Sequence, residues 1–338
     1  MKEANAVRNR PTMNDVAREA DVALKTVSRF VNGETNIDPV RAERIAAAIE
    51  RLGYRRNLSA ASIRPGWSSR MIGLVISDLA NPYYAVLARS VERVAAGAGF
   101  MVMISSSEED GALHDRVIDR MLDQRVDGLI VVPPRSGSRD WSSLPSPLPP
   151  TVFVDRPSGF DPGRTVLADN EGGARTAVRA LAAEGARRIA FLGDSLSLYT
   201  MRERHKGYKG ACSELGLAVD PSLLRTEAHT AREAADITLQ LLSSGTADAI
   251  FAANNRATFG ALEAFRRAGR RVPLIGFDDF EAAALTSPAT SVISEDVAGM
   301  GELATRLVLQ TIAGAPAVDR VTILPTTLEL RGSERAPR

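Results

Sequence analysis

Residues 12–32, TMNDVAREADVALKTVSRFVN, decide the fold of the N-terminal part of the chain. Apolar residues recur at helical spacing in its first half, as at Val16 and Ala20, and again in its second half, at Val27 and Val31. The stretch therefore predicts two short helices joined by a tight turn, with their apolar stripes packed against each other. The polar residues of the second helix are then left on one outward face.

This outward face carries Lys25, Thr26, Ser28, Arg29 and Asn32. A helix of this width fits the major groove of B-DNA, where an Arg reaches a guanine with two hydrogen bonds, a Lys reaches phosphate or base, and a hydroxyl reaches phosphate. The pattern therefore predicts a DNA-reading helix. An ordinary solvated helical hairpin is the alternative, because basic amphipathic helices are common.

The same residues carry a resemblance to a known family. From Asp15 to Asn32 the run DVA-x-x-A-x-V-x-x-x-TVSR-x-VN resembles the helix-turn-helix of the lactose-repressor (LacI/GalR) family of bacterial transcription regulators. The resemblance implies base-reading roles for Leu24, Lys25 and Arg29. The residues for which it implies contacts with the DNA backbone are Thr12, Thr26, Ser28 and Asn32.

Two positions depart from the pattern of the family. Asp21 stands where the family usually has the glycine of the turn. Asp is one of the few other residues that tolerate a left-handed backbone, so we expect the turn to survive. Ala23 stands where the family usually has a serine that caps the second helix. Losing such a cap typically costs about 1 kcal/mol, so we expect this change to affect stability more than function.

A third helix is predicted to begin after Asp38, a suitable N-cap, with Pro39 in its first turn, and to end at Gly53. Its apolar residues can close a three-helix core with the first two helices. Residues 1–56 are therefore predicted to form a helix-turn-helix DNA-binding domain. We also place Tyr54 among its DNA-binding residues.

Residues 57–69 are predicted to form a hinge helix and linker. Asn57 begins a helix-like run of small residues that Pro65 ends, and a flexible linker is the alternative. The resemblance implies a helix that orders on DNA and inserts an apolar side chain, here Ile63, into the minor groove. Asn57 and Ala60 are the other hinge residues that we expect at the DNA.

The composition is that of an ordinary globular protein. The chain has 338 residues, 44% hydrophobic and 25% charged, which suggests two or three domains. Its apolar runs are too short to span a membrane, and the N-terminal residues contain no apolar core for a signal peptide. A single cysteine, Cys212, excludes an internal disulfide and a cysteine zinc site. We therefore expect a cytoplasmic protein that has no membrane association, bound metal or cofactor.

The charge is unevenly distributed along the chain. Residues 1–66 contain 12 Lys and Arg against 8 Asp and Glu, whereas the remainder contains 30 against 33. The basic N-terminal part suits contacts with phosphates. Its charge falls short of the dense positive charge of a sequence-independent nucleic-acid binder.

From Met71 the pattern changes to short apolar runs, each followed by a loop and usually an amphipathic helix. The runs are MIGLVIS, FMVMISS, GLIVVPP, TVFVDR, TVLAD, RRIAFLGD, DAIFAAN, VPLIGFDD and VTILP. This alternation predicts an α/β core of doubly wound parallel sheets, in which ligands sit beyond the carboxyl ends of the strands. Polar residues collect at those ends or close by, namely at residues 78–84, 105–107, 155–156, 194–195, 254–255 and 278–279, and at Arg202 and Arg204.

This core, residues 70–338, is similar to the sugar-binding core of the same family and of periplasmic ribose-type binding proteins. The similarity implies two subdomains that share a cleft, about 70–167 with 294–325 and about 168–293 with 326–338. It implies an effector site formed by Asn81, Tyr83, Tyr84, Asp155, Arg204, His229, Asn254 and Asp278. Carboxylates, amides and an Arg that hold hydroxyls, with aromatic faces beneath the ring, are the expected chemistry of a carbohydrate site.

Two motifs favour an enzyme instead. Residues 193–196, GDSL, match the signature of certain esterases, in which a later Asp-x-x-His pair activates the serine. None of the three histidines follows an Asp at that spacing, so the pattern lacks its base. Residues 299–304 fit G-x-G-x-x-A but lie within a helical pattern, and we interpret them as helix packing.

Residues and resemblance together predict a sequence-specific transcriptional regulator, a repressor, whose affinity for near-palindromic operator DNA is set by a small ligand, a sugar or sugar derivative. We expect a homodimer, because the sequence ends at Arg338 without a heptad repeat. A purely ligand-binding protein of the periplasmic type is the second hypothesis, opposed by the missing signal peptide and by the presence of residues 12–64. An enzyme is the third, and no catalytic residue is assigned.

Overall fold

The computed structural model describes residues 11–34, 36–55, 68–135, 139–158, 164–217, 219–315 and 320–337. The chain divides into two compact units, residues 1–69 and residues 70–338. Within the described ranges, no helix is both long enough and apolar enough to cross a membrane.

The first unit contains three helices in its described part. They are α1 (Met13–Ala20), α2 (Leu24–Val31) and α3 (Pro39–Leu52). They pack around Val16, Val27 and Ile45, one residue from each helix, all of which are fully buried. Burying side chains of this size contributes about 1.5–3 kcal/mol each, so the apolar stripes hold the helices together. The predicted three-helix core is confirmed.

The two ends of the helix-turn-helix turn are capped differently. Asp21 has the expected left-handed backbone, with φ 48° and ψ 54°, and it accepts hydrogen bonds from Arg44 of α3 at 3.0 and 3.3 Å. Ala23 precedes α2 and offers no side-chain cap. By contrast, Thr12 and Asp15 form a complete capping box at the start of α1. The first amides of α2 therefore lack a partner of the kind that α1 has.

The second unit contains two sheets, each with six strands in the described residues. The first consists of β1 (Met71–Ile76), β2 (Met101–Ser106), β3 (Gly128–Val131), β4 (Thr151–Val154), β5 (Arg164–Ala168) and β11 (Val321–Leu324). The second consists of β6 (Ile189–Leu192), β7 (Leu224–Arg225), β8 (Ala249–Ala252), β9 (Leu274–Phe277), β10 (Ser291–Glu295) and β12 (Thr326–Glu329).

Both sheets have the same strand order. The first is ordered β2-β1-β3-β4-β5-β11 and the second β7-β6-β8-β9-β10-β12. Neighbouring strands are parallel, except that β10 and β12 are antiparallel. All nine predicted strands are present and the predicted fold class is confirmed, whereas β7, β10 and β12 were not predicted as strands.

Helices cover both faces of the sheets. They are α4 (Pro82–Gly97), α5 (Gly111–Asp123), α6 (Asn170–Ala183), α7 (Tyr199–Glu214), α8 (Ala231–Ser244), α9 (Asn255–Ala268) and α10 (Val297–Ile312). On β6, Ile189 and Phe191 enter one apolar cluster, and Ala190 and Leu192 enter another, as expected when both faces of a strand are buried. Gly301 of the G-x-G-x-x-A motif lies in α10, where a Cβ would clash with Ser90 of α4, so the motif serves helix packing.

The chain passes between the two sheets three times, after β5, after β10 and between β11 and β12. Each subdomain is therefore built from separate stretches of the chain. The carboxyl ends of strands from both sheets border one cleft between the subdomains. This is the position expected for a ligand site in such sheets.

Candidate DNA-reading face and effector cleft

The reading face of α2 is separated from its core face. Leu24, at 45% exposure, and Lys25 are exposed in the first turn, whereas Val27 is fully buried. Thr26 and Ser28 are half-buried on the flanks. The beginning of α2 therefore presents an apolar group, a cation and two hydroxyls, as its sequence predicts for a groove-reading helix.

Arg29 lies near the end of α2 and is held within its own domain. Its Nε donates to Glu34 Oε2 and its Nη2 to the Asn36 carbonyl, both at 2.7 Å. The side chain is 35% exposed. To contact a base, Arg29 must break its ion pair with Glu34 and form hydrogen bonds with DNA instead. A solvent-exposed pair of this type contributes about 0–1 kcal/mol, so the exchange costs little.

The other predicted DNA-binding residues have mixed surroundings. The Thr12 hydroxyl is engaged in the cap of α1, with Asp15 Oδ2 at 2.7 Å. Asn32 is exposed directly after α2, and Tyr54 is half-buried against the three-helix core. The hinge residues Asn57, Ala60 and Ile63 lie outside the described residues.

The cleft of the second unit brings together seven of the eight predicted effector residues. Those that line it are Asn81, Tyr83, Tyr84, Asp155, Arg204, Asn254 and Asp278. The eighth, His229, does not line the cleft, but its Nδ1 contacts Asp194, which does. The cavity has a volume of about 80 Å³. Typical ligand pockets have about 300–1,000 Å³, so the cleft is closed on its own side chains.

Two aspartates occupy equivalent positions in the two subdomains. Asp155 directly follows β4 and Asp278 directly follows β9, and both have a left-handed backbone, with φ 70° and 69°. Such a backbone is unfavourable for residues other than glycine, and it persists where the surrounding structure imposes it, often at functional sites. Each subdomain therefore places one carboxylate at the cleft, and both carboxylates are positioned by a left-handed backbone directly after a strand.

Arg204 is buried and largely occupied by protein partners. Its Nε donates to Asn170 Oδ1 at 2.7 Å, its Nη1 to the Ala253 carbonyl at 2.8 Å and its Nη2 to Glu295 Oε1 at 2.7 Å. The same Nη2 lies 3.1 Å from Asp278 Oδ1. A guanidinium has five N–H groups, so little donor capacity is left for a ligand. Arg204 therefore holds the floor of the cleft in place.

Three carboxylates surround this single guanidinium. Burial raises the pKa of Glu295 to about 8; Arg204 opposes the rise, and the charges of Asp278 and Asp155 add to it. Burial also raises the pKa of Asp155, against the lowering effect of Arg156. The raised pKa favours the protonated form of the Glu295 carboxyl, which reduces the repulsion within the group.

The first subdomain has its own buried arginine. Arg156 donates two parallel hydrogen bonds to Glu109, at 2.8 and 2.9 Å, and one to the Pro133 carbonyl at 3.1 Å. Burial alone would raise the pKa of Glu109, but the hydrogen bonds and the charge of Arg156 lower it. Glu109 is therefore ionised. This pairing fixes Arg156 beside Asp155, whose Oδ2 lies 3.2 Å from its Nε.

Within the described residues, three polar bridges cross the cleft. They join Asn81 to Asn255 at 2.8 Å, Asp78 to Arg256, and Arg135 to Asp194 at 2.7 Å. In each bridge the first residue belongs to the first sheet's subdomain and the second to the other. The closed cleft is thus held by the protein's own polar groups.

Several cleft residues were missed or left unassigned by the sequence analysis. Arg156, Asp194 and Asn255 were noted at strand ends but not placed in the site. Glu109 and Arg135 were missed, although they follow β2 and β3, so the strand-end rule could have found them. Ser77 and Arg256 were missed as well, and because they follow β1 and β8 the same rule could have found them. The others that were missed are Leu198, Thr200 and Met201, which no local pattern distinguishes.

The GDSL motif does not form a catalytic triad. Asp194 contacts His229, but the Ser195 hydroxyl bonds the Ser197 hydroxyl at 2.9 Å. In the described part of the chain no hydrogen bond joins Ser195 to His229, so the serine lacks the base that a triad requires.

Comparison with known proteins matches both units. Residues 12–57 match the model of bacterial regulatory proteins of the lacI family, and residues 178–334 match a periplasmic binding protein-like domain. The transcriptional regulator GalS of Salmonella typhimurium is 31% identical over 327 residues, covering 95% of this chain and 96% of GalS. The regulator CelR of Thermobifida fusca is 30% identical over 342 residues, covering 96% of this chain and 99% of CelR.

Solved structures agree with these matches. The Lac repressor dimer bound to operator and the anti-inducer ONPF has a TM-score of 0.84 at 26% identity, covering 96% of this chain and 99% of that chain. A CelR–cellobiose complex has a TM-score of 0.69 at 29% identity, covering 96% and 100%.

A helix-turn-helix domain followed by a two-subdomain core of the periplasmic-binding type defines a class of DNA-binding transcription regulators. This chain belongs to the lacI family of bacterial regulatory proteins. It is a sequence-specific DNA-binding transcriptional regulator, and its relatives are regulators rather than enzymes.

Proposed function

We propose that this protein is a cytoplasmic repressor without enzymatic activity, whose affinity for operator DNA is controlled by a sugar or sugar derivative. The observation that carries the proposal is the cleft, where carboxylates, amides and tyrosines converge from the strand ends of both subdomains. Relatives with sugar ligands support it, since CelR is described with cellobiose and the Lac repressor with operator and ONPF.

On the DNA side, we assign residues 1–56 to groove binding and 57–69 to the hinge. Leu24, Lys25 and Arg29 read bases. The residues that contact or orient the DNA backbone, or belong to the hinge, are Thr12, Thr26, Ser28, Asn32, Tyr54, Asn57, Ala60 and Ile63. A homodimer presents two reading helices related by a two-fold axis, so the operator is a near-palindrome.

On the ligand side, we assign the subdomains as about 70–167 with 294–325 and about 168–293 with 326–338. The ligand hydroxyls are held by Asn81, Asp155, Asn254 and Asp278, with Tyr83 and Tyr84 beside the ring. Arg204 positions the carboxylates, and His229 acts through Asp194.

The cross-cleft bridges supply a mechanism of control. A cavity of about 80 Å³ does not admit a sugar, so the ligand must exchange its own hydroxyls for some of the bridges. That exchange changes the relative orientation of the subdomains. A ligand that prefers one orientation shifts the equilibrium between the two by its difference in affinity, and DNA binding follows through the same equilibrium.

The DNA side is tested by selecting the best operator from random sequences with the full chain. Lys25→Ala is then expected to lose about 1–3 kcal/mol on that operator and less on random DNA, because a base contact carries sequence preference. Equal loss on both DNAs would contradict base reading by Lys25.

The ligand side is tested by a thermal-shift screen of sugars, since a ligand at 100 times its Kd adds about 2.7 kcal/mol of stability.

A further inference from the structure

A second chamber adjoins the cleft. It has a volume of about 180 Å³ and shares Arg135, Arg156 and Leu198 with the lining of the cleft. Tyr199 and Arg202 form its other side. We call it the side chamber. It is larger than the cavity of the cleft, and the two spaces adjoin at these shared residues.

The charges of the two spaces differ. Among the described residues, three arginines line the side chamber and no carboxylate does. The carboxylates that pair with Arg156 and Arg135, namely Glu109 and Asp194, line the cleft instead. The cleft is therefore rich in acceptors, and the side chamber is rich in donors, since a guanidinium only donates hydrogen bonds.

The third arginine is held loosely. Arg202 lies with its guanidinium 5.5 Å from the centre of the Tyr199 ring and 3.7 Å from Glu203, and its side chain is 55% exposed. It forms part of the rim of the chamber. An exposed pair at this distance contributes little, so Arg202 can turn to an incoming anion at small cost.

The two inner arginines have unused donors. The Nε atoms of Arg135 and Arg156 are buried and make no hydrogen bond with the described protein atoms. The Arg156 side chain is only 8% exposed, and its Nε contacts Asp155 without the geometry of a hydrogen bond. Arg156 Nε faces the Asp155 carboxylate, whereas Arg135 Nε has no acceptor, so the Arg135 N–H favours a ligand that supplies one.

We propose that the ligand is a hydroxylated ring that carries an oxyanion, with the ring in the cleft and the oxyanion in the side chamber between Arg135, Arg156 and Arg202. The inference rests on the proposed function and names the ligand class of its site. A phosphate or a carboxylate supplies the acceptors, and the planar fork of an arginine matches either group. When the oxyanion binds, it replaces Asp194 as the partner of Arg135. This replacement opens one bridge across the cleft.

The test uses the full chain and matched sets of ligands. Titration calorimetry compares glucose with glucose 6-phosphate and glucuronate, and ribose with ribose 5-phosphate. We expect one anionic compound to bind at least about tenfold more tightly than its neutral parent, the factor for one charge-assisted hydrogen bond. Whether the phosphate or the carboxylate has this advantage identifies the oxyanion.

Variants locate the preference in the side chamber. Arg202→Gln is expected to weaken the anionic ligand about tenfold and to leave the neutral parent within about twofold. Arg232→Gln, at an exposed position of α8 away from both spaces, is the matched control and is expected to change neither. An unaltered preference in both Arg202→Gln and Arg135→Gln would overturn the proposal.

The outcomes separate this proposal from the broader one. If a neutral sugar binds and alters operator affinity while none of the anionic compounds binds more tightly than its parent, the oxyanion proposal is wrong and the proposed function stands. If no sugar, neutral or anionic, binds or alters operator affinity, the proposed function fails as well.

Discussion

At the scale of single residues, Ala23 has the backbone of a helix cap without the side chain of one. Its φ of −66° and ψ of 143° are extended, as at a usual N-cap. Ala23→Ser is therefore expected to stabilise the DNA-binding domain by about 0.5–2 kcal/mol. Thr12→Ala is the reverse change, because it removes the capping box of α1, and it should destabilise the DNA-binding domain by a similar amount. Urea unfolding of the full chain measures both, and no gain from the serine would contradict the assignment.

Glu295 makes stability depend on pH. Its pKa is about 8 in the folded protein against a usual value of 4.5, so the unfolded chain loses this proton at lower pH. Stability contributed by the protonated form is complete below about pH 4.5 and is lost as the pH rises toward 8. Because Gln resembles the protonated acid, Glu295→Gln should remove this loss.

The expected result is a difference in melting temperature between variant and wild type that grows between pH 5 and pH 8. Each 1 kcal/mol corresponds to about 2–4 °C in a protein of this size or somewhat smaller. A difference that stays constant over this range would show that Glu295 is ionised throughout.

The sequence predicted the backbone conformation and the missing cap at single residues, but it did not predict which distant side chains they contact. The left-handed turn at Asp21 and the missing cap at Ala23 depend on neighbouring residues, and both are confirmed. The prediction that Arg204 holds ligand hydroxyls stays untested, and its surroundings were not foreseen. Its partners Asn170 and Glu295 lie 34 and 91 residues away in sequence, so only the tertiary fold brings them together.

At the scale of elements, strands with a continuous apolar run were predictable and the others were not. Seven of the nine predicted strands are buried between helices, which demands apolar residues on both faces, whereas β2 and β11 are partly exposed edge strands that were predicted from their apolar runs alone. By contrast, β12 alternates half-buried and exposed residues, and β7 has only two residues. In β10 only two adjacent residues, Val292 and Ile293, are apolar, and Ser and Glu occupy the other positions. These three segments are recognisable as strands only in the structure, from their backbone pairing with neighbouring strands, and not from their sequence.

The beginning of α9 carries one of the cross-cleft bridges, through Arg256 to Asp78. If this bridge holds the cleft closed, Arg256→Gln lowers the cost of opening it. An ion pair with a side chain 38% exposed contributes about 0–1 kcal/mol, so ligand affinity should rise by up to about fivefold.

Calorimetry of the variant with the ligand found by screening measures this change. Arg267→Gln is a matched control, because Arg267 lies on the same helix and pairs with Asp236 rather than across the cleft. A weaker affinity in the Arg256 variant would instead show that Arg256 itself contacts the ligand.

At the scale of the whole molecule, the order of units and the position of the cleft followed from the sequence and its resemblance. The closed state of the cleft did not, because it depends on pairs such as Asp78 with Arg256 and Arg135 with Asp194, which join distant parts of the chain. The resemblance implied which residues surround a ligand. It did not indicate that the same residues, together with their neighbours, bond one another.

Ligand and operator binding are proposed to be coupled through one shared equilibrium between the two orientations of the subdomains. Asp278→Asn removes a charge from the cleft, and Asn tolerates the left-handed backbone at this position, where φ is 69°. The substitution should leave operator affinity without ligand within about threefold of wild type, below 1 kcal/mol. The coupling between two such sites is typically 1–3 kcal/mol, so the ligand should change wild-type affinity at least about fivefold.

The decisive measurement is a titration of operator DNA with wild type and Asp278→Asn, each with and without the ligand found by screening. We expect a ligand-dependent shift of at least about fivefold for wild type and little or none for the variant. A variant that binds operator normally and keeps the full ligand response would show that the ligand acts from a site other than this cleft.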